Sequence, residues 1–528
     1  MPMTLTEAVK AEREPRPSVG SRLAGRADAL LDLGIVAAVG LALRLPAVGF
    51  GLPAMLHPDE PGNVVVGARM AVNSDWNPHY FAYPSVMYDV EAISVRAQGL
   101  VTGHMLNASD FTTQGMGINQ TSDPDMVLFL RLITVALSVG LCLLVYGLVR
   151  HITGRRWVAV GCGLLGATSP LLITNGVFIT PDTYSAFFST ATLAGALAVV
   201  RRGKRLDYVL AGLAVGLAWG SKYDIVCSVP VIVAYLIREG RNAYRPSALL
   251  SLGTAALAAV VSFVVSTPAA LFDTSSLITG LRAELSHYAT GHPGAQGGAF
   301  EYYLSALSHD QFLLIPGALL AVVAAWFGHF RKETVVVGAY SLGYFGLIAS
   351  ETVRFDRDLL PLLPGLMLLT GFGVAWIAQL VAERRPALPR PAGFAVVTAL
   401  AAAMLVPAVM GAAGVPQTLD EAPRTEVAAW LDAHLPQGAA VVDEHYGPWL
   451  EPSRYHVTEV GYVVSEASLP AGQQAIILTD QGSGRFTDDP AQYPHEFAAY
   501  QALLKNYCLA VKYTNGPWAE VLTPCTSG

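Results

Sequence analysis

The sequence predicts a polytopic α-helical membrane protein that carries a small α/β domain at its C-terminal end. Three observations predict it. The chain is 53% hydrophobic and 14% charged, whereas soluble domains carry roughly 25% charged residues. Apolar runs of membrane-spanning length recur between residues 29 and 412. Short basic tracts punctuate those runs at every second gap, the pattern expected when all of them lie on one side of a bilayer.

Residues 1–28 are polar and lack a small-residue cleavage pattern, so they read as a retained cytoplasmic lead. Apolar runs of about 17–25 residues mark spans. They fall at 29–48, 126–149, 158–176, 183–200, 207–221, 223–238, 247–267, 311–328, 333–350, 359–380 and 392–412, about eleven in all. Basic tracts follow alternate spans at Arg150 to Arg156, Arg201 to Arg205, Arg238 to Arg245, Arg331-Lys332 and Arg384 to Arg390, with Lys10 to Arg26 ahead of the first. This arrangement predicts a multi-pass protein of the plasma (inner) membrane, with its N-terminus in the cytoplasm and its C-terminus outside.

The predicted domains are therefore the lead, a transmembrane domain over 29–412 that includes an extracytoplasmic loop at 50–125, and an extracytoplasmic domain over 413–528. In the last, "RTEVAAWLDAHLPQGAAVVDEHY" reads as helix, Pro-Gly turn and strand, "QQAIILTD" as a strand, and "PHEFAAYQALLKNYCLAVKY" as helix then strand. Cys142, Cys162 and Cys227 lie in apolar runs and read as core residues. Cys508 and Cys525 can pair if their end of the chain meets an oxidising compartment, or stay as two thiols.

The predicted topology gathers ionisable residues at the extracytoplasmic ends of the spans. Asp59 and Glu60, in "LHPDEP", follow the first span, and Pro61 suits the first turn of a short helix along the interface. The two acids either satisfy that helix start or serve a site. Asp182 lies between the third and fourth spans, Lys222 and Asp224 between the fifth and sixth, His287 and His292 after the seventh, and Arg354 and Arg357 after the ninth. Charges at the edge of hydrocarbon are costly and mark function. Arginine forks and a lysine suit an anionic phosphate, and a carboxylate suits removal of a proton from an acceptor hydroxyl. Each also has a plainer role: Lys222 and the arginines as headgroup contacts, Asp182 as a helix cap, the two histidines as a solvated loop. His287 and His292, five apart in a Gly-rich loop, are weak evidence for a metal, the spacing of His57 and His79 matches no metal signature, and metal use stays open.

At these residues the chain resembles the GT-C glycosyltransferases, in particular bacterial relatives of the protein O-mannosyltransferases and of the lipid A aminoarabinose transferase (glycosyltransferase family 39-like). The resemblance runs in order along the chain through "LHPDE", "NPHYFAYPS", "TPDTYSAFF", "GLAWGSKYDIVCSVP", "VRFDRDLLPLLPG" and "RTEVAAWLDAHLPQGAAVVDEHYGPWL". It implies a GT-C fold and transfer of a sugar from a polyprenyl-phosphate donor to an extracytoplasmic acceptor, with inversion. It implies Asp59 as the catalytic base beside Glu60, Asp182 as the second acidic position, and Lys222, Arg354 and Arg357 as the donor phosphate site. Tyr83, His79 and His287 are candidates to line the substrate. Asp358 departs from the pattern, which commonly has an aromatic residue there; it either alters donor contacts or pairs with Arg354. A divalent cation, Mg or Mn, is a feature of some relatives only.

The expected partners are the bilayer, the lipid-linked donor and an acceptor that is protein, glycan or lipid; no nucleic-acid partner is expected. The competing class is a transporter or a flippase for lipid-linked sugars. That class predicts charges and broken helices near the middle of the membrane, whereas here the charges collect at one face. A non-catalytic scaffold would leave that charged face unexplained.

Overall fold

The computed structural model describes residues 19–114, 118–295, 297–383, 422–466 and 469–525, with a few positions between 409 and 415. Helices dominate up to residue 383. Helix Pro124–Thr153 illustrates how sequence fixes them: the Asp123 side chain accepts from the Met126 N–H at 3.1 Å, Pro124 occupies the first turn, and Gly154 closes the end in the left-handed region. Its 30 residues reach about 45 Å, more than the hydrocarbon core.

Ten of the predicted spans coincide with helices, and the eleventh, 392–412, lies almost wholly outside the described residues. Among the described residues five helices are long and apolar enough to cross a membrane alone, and seven are if each bent pair counts once. Predicted spans 207–221, 223–238 and 333–350 are helices Arg205–Lys222, Ser228–Glu239 and Arg331–Ala349, too short or too charged to pass on length and composition alone. Predicted span 158–176 is broken: helix Arg156–Ala167 turns by 58° into the segment from Pro170 to Val177. Ser169, whose side chain takes the Leu172 N–H, and Pro170 together start a new helix there.

Close packing positions the charged ends. Gly212 and Gly216, four residues apart on helix Arg205–Lys222, face helix Pro246–Ser266. A Cβ at either would sit 2.1 Å from the Ala255 carbonyl oxygen or 2.2 Å from that of Ala259, so only glycine allows this approach.

A small antiparallel sheet of order β1-β3-β2 ties the start of the first long loop to its end, with β1 at Ala54–Met55, β2 at Phe111–Gln114 and β3 at Ile118–Thr121. The α/β domain carries β4 (Ala439–Glu444), β5 (Tyr455–Val460), β6 (Ala475–Thr479), β7 (Tyr507–Tyr513) and β8 (Ala519–Pro524) in the order β5-β4-β6-β8-β7. Helices Ala422–His434 and Pro494–Leu503 and strands β4, β6 and β7 fall where the sequence predicts them. β4 pairs in parallel with β5 on one side and β6 on the other. The chain thus leaves β4 in one direction and returns on its other side. A crevice opens at the carboxyl ends of β4 and β6, the place where ligands bind in open α/β sheets. Cys508 and Cys525 form a disulfide, while Cys142, Cys162 and Cys227 are free and buried.

Candidate active site

Asp59 holds the N-cap position of helix Glu60–Asn73, yet its side chain makes no capping hydrogen bond. It turns instead to Arg357, whose Nη1 lies 2.5 Å from Asp59 Oδ2, and a third of the Asp59 side chain stays exposed. Burial opposes the charge, but Arg357 outweighs it and holds the Asp59 carboxyl below its ordinary range. The Asp59 N–H donates to His57 Nδ1 at 3.2 Å, and the His57 ring lies 4.4 Å from that of Phe178. The predicted interfacial helix buries Val64, Ala68 and Ala71, while Val72 is exposed.

Glu60 points away from Asp59 into the protein. Its two oxygens take Arg131 Nε at 2.8 Å and Nη2 at 2.6 Å, and neither side chain has any exposure. The Ile179 N–H also reaches Glu60 at 3.2 Å. Arg131 Nη1 donates to the carbonyls of Val48 and Phe50, each at 2.7 Å. One buried ion pair therefore fastens the end of the first span, the turn before helix Pro181–Arg201 and the base of the Asp59 helix.

Lys222 ends helix Arg205–Lys222, and its ammonium sits between Asp182 Oδ1 at 2.6 Å and Asp358 Oδ1 at 2.9 Å. Asp358 Oδ2 also accepts from the Tyr303 hydroxyl at 3.0 Å. The unexpected acid of the arginine motif thus pairs with Lys222, not with Arg354. Both carboxylates are buried and hold the Lys222 ammonium between them. Asp182 does not cap its helix; Thr180 holds that position. Neither Asp182 nor Lys222 reaches the wall of the cavity onto which Asp59 and Arg357 open.

That cavity, of about 500 Å³, is walled on one side by His57, Asp59, Arg354 and Arg357, and on the other by residues of the α/β domain, among them Tyr446, Gln481 and Arg485. Arg354 packs its guanidinium 4.7 Å from the Tyr302 ring and, among the described residues, has no carboxylate at ion-pair distance. Asp356 also faces the cavity and accepts from the Tyr302 hydroxyl at 2.5 Å. A second cavity of about 630 Å³ is lined by His79, Tyr80, Ser275, Glu284 and His287. It brings His79 and His287 together, though not onto the Asp59 cavity, and His79 is engaged by Asp75 at 2.8 Å. Tyr83 lines neither cavity; its hydroxyl lies within the electrostatic reach of Arg357, Asp59, Asp182 and Lys222, and burial pushes its pKa well up.

Among the described residues no three His, Cys, Asp or Glu side chains converge to hold a metal. Asp59 is partnered by an arginine instead of a second acid, a donor set that does not fit Mg or Mn. Sequence reasoning missed Arg131 and Arg485. Arg131 was visible as a cation inside an apolar run, and Arg485 as the residue closing "DQGSGR" after a strand, a glycine-rich turn at a carboxyl end.

Residues 105–272 match the family model described as dolichyl-phosphate-mannose-protein mannosyltransferase. Among solved structures the chain is similar to ArnT from Cupriavidus metallidurans bound to undecaprenyl phosphate, with 14% identity and a TM-score of 0.53 over 93% of this chain and 97% of that one. The apo state of that protein gives 15% identity and a TM-score of 0.51 over 94% and 98%. The Pmt1-Pmt2 protein O-mannosyltransferase complex of S. cerevisiae bound to the sugar donor gives 16% identity and a TM-score of 0.34 over 52% of this chain and 36% of that one. No curated protein matches the chain by sequence. At such identity the likeness to ArnT is one of fold, and it runs nearly end to end in both chains.

Proposed function

We propose that this chain, a membrane glycosyltransferase of the GT-C superfamily using a lipid-linked donor, transfers a sugar from a polyprenyl phosphate to an acceptor hydroxyl at the extracytoplasmic face. The observation that carries the reading is the cavity that joins a partly exposed carboxylate, Asp59, to two arginines, Arg354 and Arg357. The collection of charged groups at one end of the helices supports transfer over transport.

In the proposed step the acceptor oxygen bonds to the anomeric carbon as the bond from that carbon to the phosphate oxygen breaks. The bonding pair leaves with the polyprenyl phosphate, whose growing charge Arg354 and Arg357 accept as bidentate forks. The acceptor proton passes to Asp59. Attack and departure on opposite sides invert the anomeric centre.

The ion pair gives the step an order. While Arg357 neutralises Asp59, the carboxylate is a poor base. A donor phosphate competes for Arg357 and so frees Asp59 when a leaving group is in place. Glu60 and Asp182 act in this scheme as positioning residues: Glu60 through Arg131, and Asp182 by holding Lys222 against Asp358 beneath the arginine segment. Lys222 itself is a counterion of that scaffold, a change from the phosphate role its motif implies.

The test is transfer of radiolabel from purified polyprenyl-phosphate sugars to an envelope extract by the full-length protein in lipid vesicles. Native protein should move label and Asp59→Asn should not. Equal transfer by both would remove Asp59 from the chemistry.

A further inference from the structure

The α/β domain brings a cationic crevice of its own to the cavity. Resting on the transfer reading above, we infer that the crevice at the carboxyl ends of β4 and β6 is the acceptor subsite, and that the acceptor carries a phosphate or carboxylate group held by Arg485.

The crevice lies at the point where the strand order reverses, and the segments following its two strands supply Tyr446 and Gln481 with Arg485. These face Asp59 across one cavity, so a molecule held here presents its hydroxyl to the base. Arg485 Nη2 donates to the Tyr446 hydroxyl at 3.0 Å and Nη1 meets His292 Nε2 at 3.1 Å. Its guanidinium lies 4.9 Å from the centre of the Tyr446 ring. Among the described residues no carboxylate lies at ion-pair distance from it, and its Nε–H has no hydrogen-bond partner. The fork is thus oriented by a ring and an imidazole and bonded to no carboxylate, with Asp480 attracting it only from beyond ion-pair distance, the arrangement that suits a planar or tetrahedral anion.

The orientation is built in. Glu444, fully buried at the end of β4, accepts the N–H groups of Val463 at 2.9 Å, Thr479 at 2.8 Å and Ser483 at 3.0 Å, and also the Ser483 hydroxyl. These bonds fix the turn from which Arg485 projects. On the membrane-domain side Gly294 adopts φ +71°, and a Cβ there would fall 2.4 Å from Arg485 Cβ. That close approach, with the Gly294 N–H donating to the Tyr493 hydroxyl at 2.9 Å, docks the two domains around the arginine. Arg424 adds a second cation from the same domain, reaching Gln481 Oε1 and the Leu56 carbonyl at 3.3 Å each. The cavity's two carboxylates, Asp59 and Asp356, engage Arg357 and Tyr302 on the opposite wall. One leaving phosphate is served by Arg354 and Arg357; the charge of Arg485 calls for a second anion.

The experiment uses the full-length protein in vesicles with labelled polyprenyl-phosphate sugars. The acceptor probes are two envelope fractions, one retained by an anion exchanger and one that flows through. Label should enter the retained fraction. Loss of retention after phosphatase would name a phosphate, and loss after methyl esterification a carboxylate. Arg485→Ala should raise the KM for that fraction about tenfold or more while the donor KM stays put, and Arg485→Lys should recover part of the loss. Label entering only the flow-through fraction, or Arg485→Ala matching native protein while thermally intact, would overturn the inference. Native protein that labels neither fraction would instead defeat the transfer reading.

Discussion

Arg357 Nη1 and Asp59 Oδ2 stand 2.5 Å apart although 298 positions separate them in the chain. The cation suited to the donor phosphate and the acid suited to the acceptor proton neutralise each other in the absence of substrate. Each therefore reports on the other, and variants at the two positions should not behave alike.

Asp59→Asn removes the proposed base and releases Arg357. Transfer should fall about 10²–10⁴-fold while affinity for the donor lipid stays level or rises. A donor-binding titration beside the transfer assay separates these effects. Weaker donor binding in this variant would contradict the competition between carboxylate and phosphate.

Arg354→Ala and Lys222→Met distinguish two views of the phosphate site. Arg354 lies on the cavity without an acidic partner, so its loss should raise the donor KM and leave thermal stability near native. Lys222 separates two buried carboxylates, and removing it should cost about 3–5 kcal/mol, read as a large fall in Tm in detergent. A normal Tm with a raised donor KM for Lys222→Met would return the lysine to the phosphate.

Glu60→Ala leaves Arg131 buried and unpaired, which should also cost about 3–5 kcal/mol. Because Arg131 grips the carbonyls of Val48 and Phe50, the loop bearing Asp59 should loosen and kcat fall while donor KM holds. Arg131→Met should reproduce both effects. A Glu60→Ala protein of native stability that has lost transfer would make Glu60 a participant in the chemistry.

Asp443 gives a prediction in pH. It is buried in β4 with no hydrogen bond to either oxygen among the described residues. Burial first, then Glu459 and Glu444, push its pKa well above the carboxylate range. The folded chain therefore holds a proton that the unfolded chain releases. The stability it contributes is full below the ordinary aspartate range and declines as pH rises toward the folded value. Asp443→Asn should flatten that slope and raise Tm at neutral pH; an unchanged slope would show that Asp443 ionises as an ordinary aspartate.

Much of this was legible in the sequence because hydrocarbon imposes a single demand. A run long enough to span must be apolar, so helices and the charges that interrupt them stand out. Asp59, Asp182, Lys222 and Arg357 were found that way, and the structure brings all four to one end of the helices. Their pairing was not legible. Whether Lys222 meets a phosphate or two carboxylates depends on where the turn at Asp358 lies, which is set by contacts with Tyr303 and with the Phe355 N–H. The α/β domain yielded strands β4, β6 and β7. It hid β5 and β8 because polar and charged residues interrupt the short apolar stretches of YHVTEV and AEVLTP, and Arg485 because its role exists only once β4 and β6 are neighbours.

The most direct measurement is the pool of polyprenyl-phosphate sugars, by mass spectrometry, in a deletion strain complemented with native protein or with Asp59→Asn. One glycolipid should accumulate in the deletion and the variant and fall with native protein, which would also name the donor sugar. Equal pools in all three, with both proteins well expressed, would contradict transfer from a lipid-linked donor.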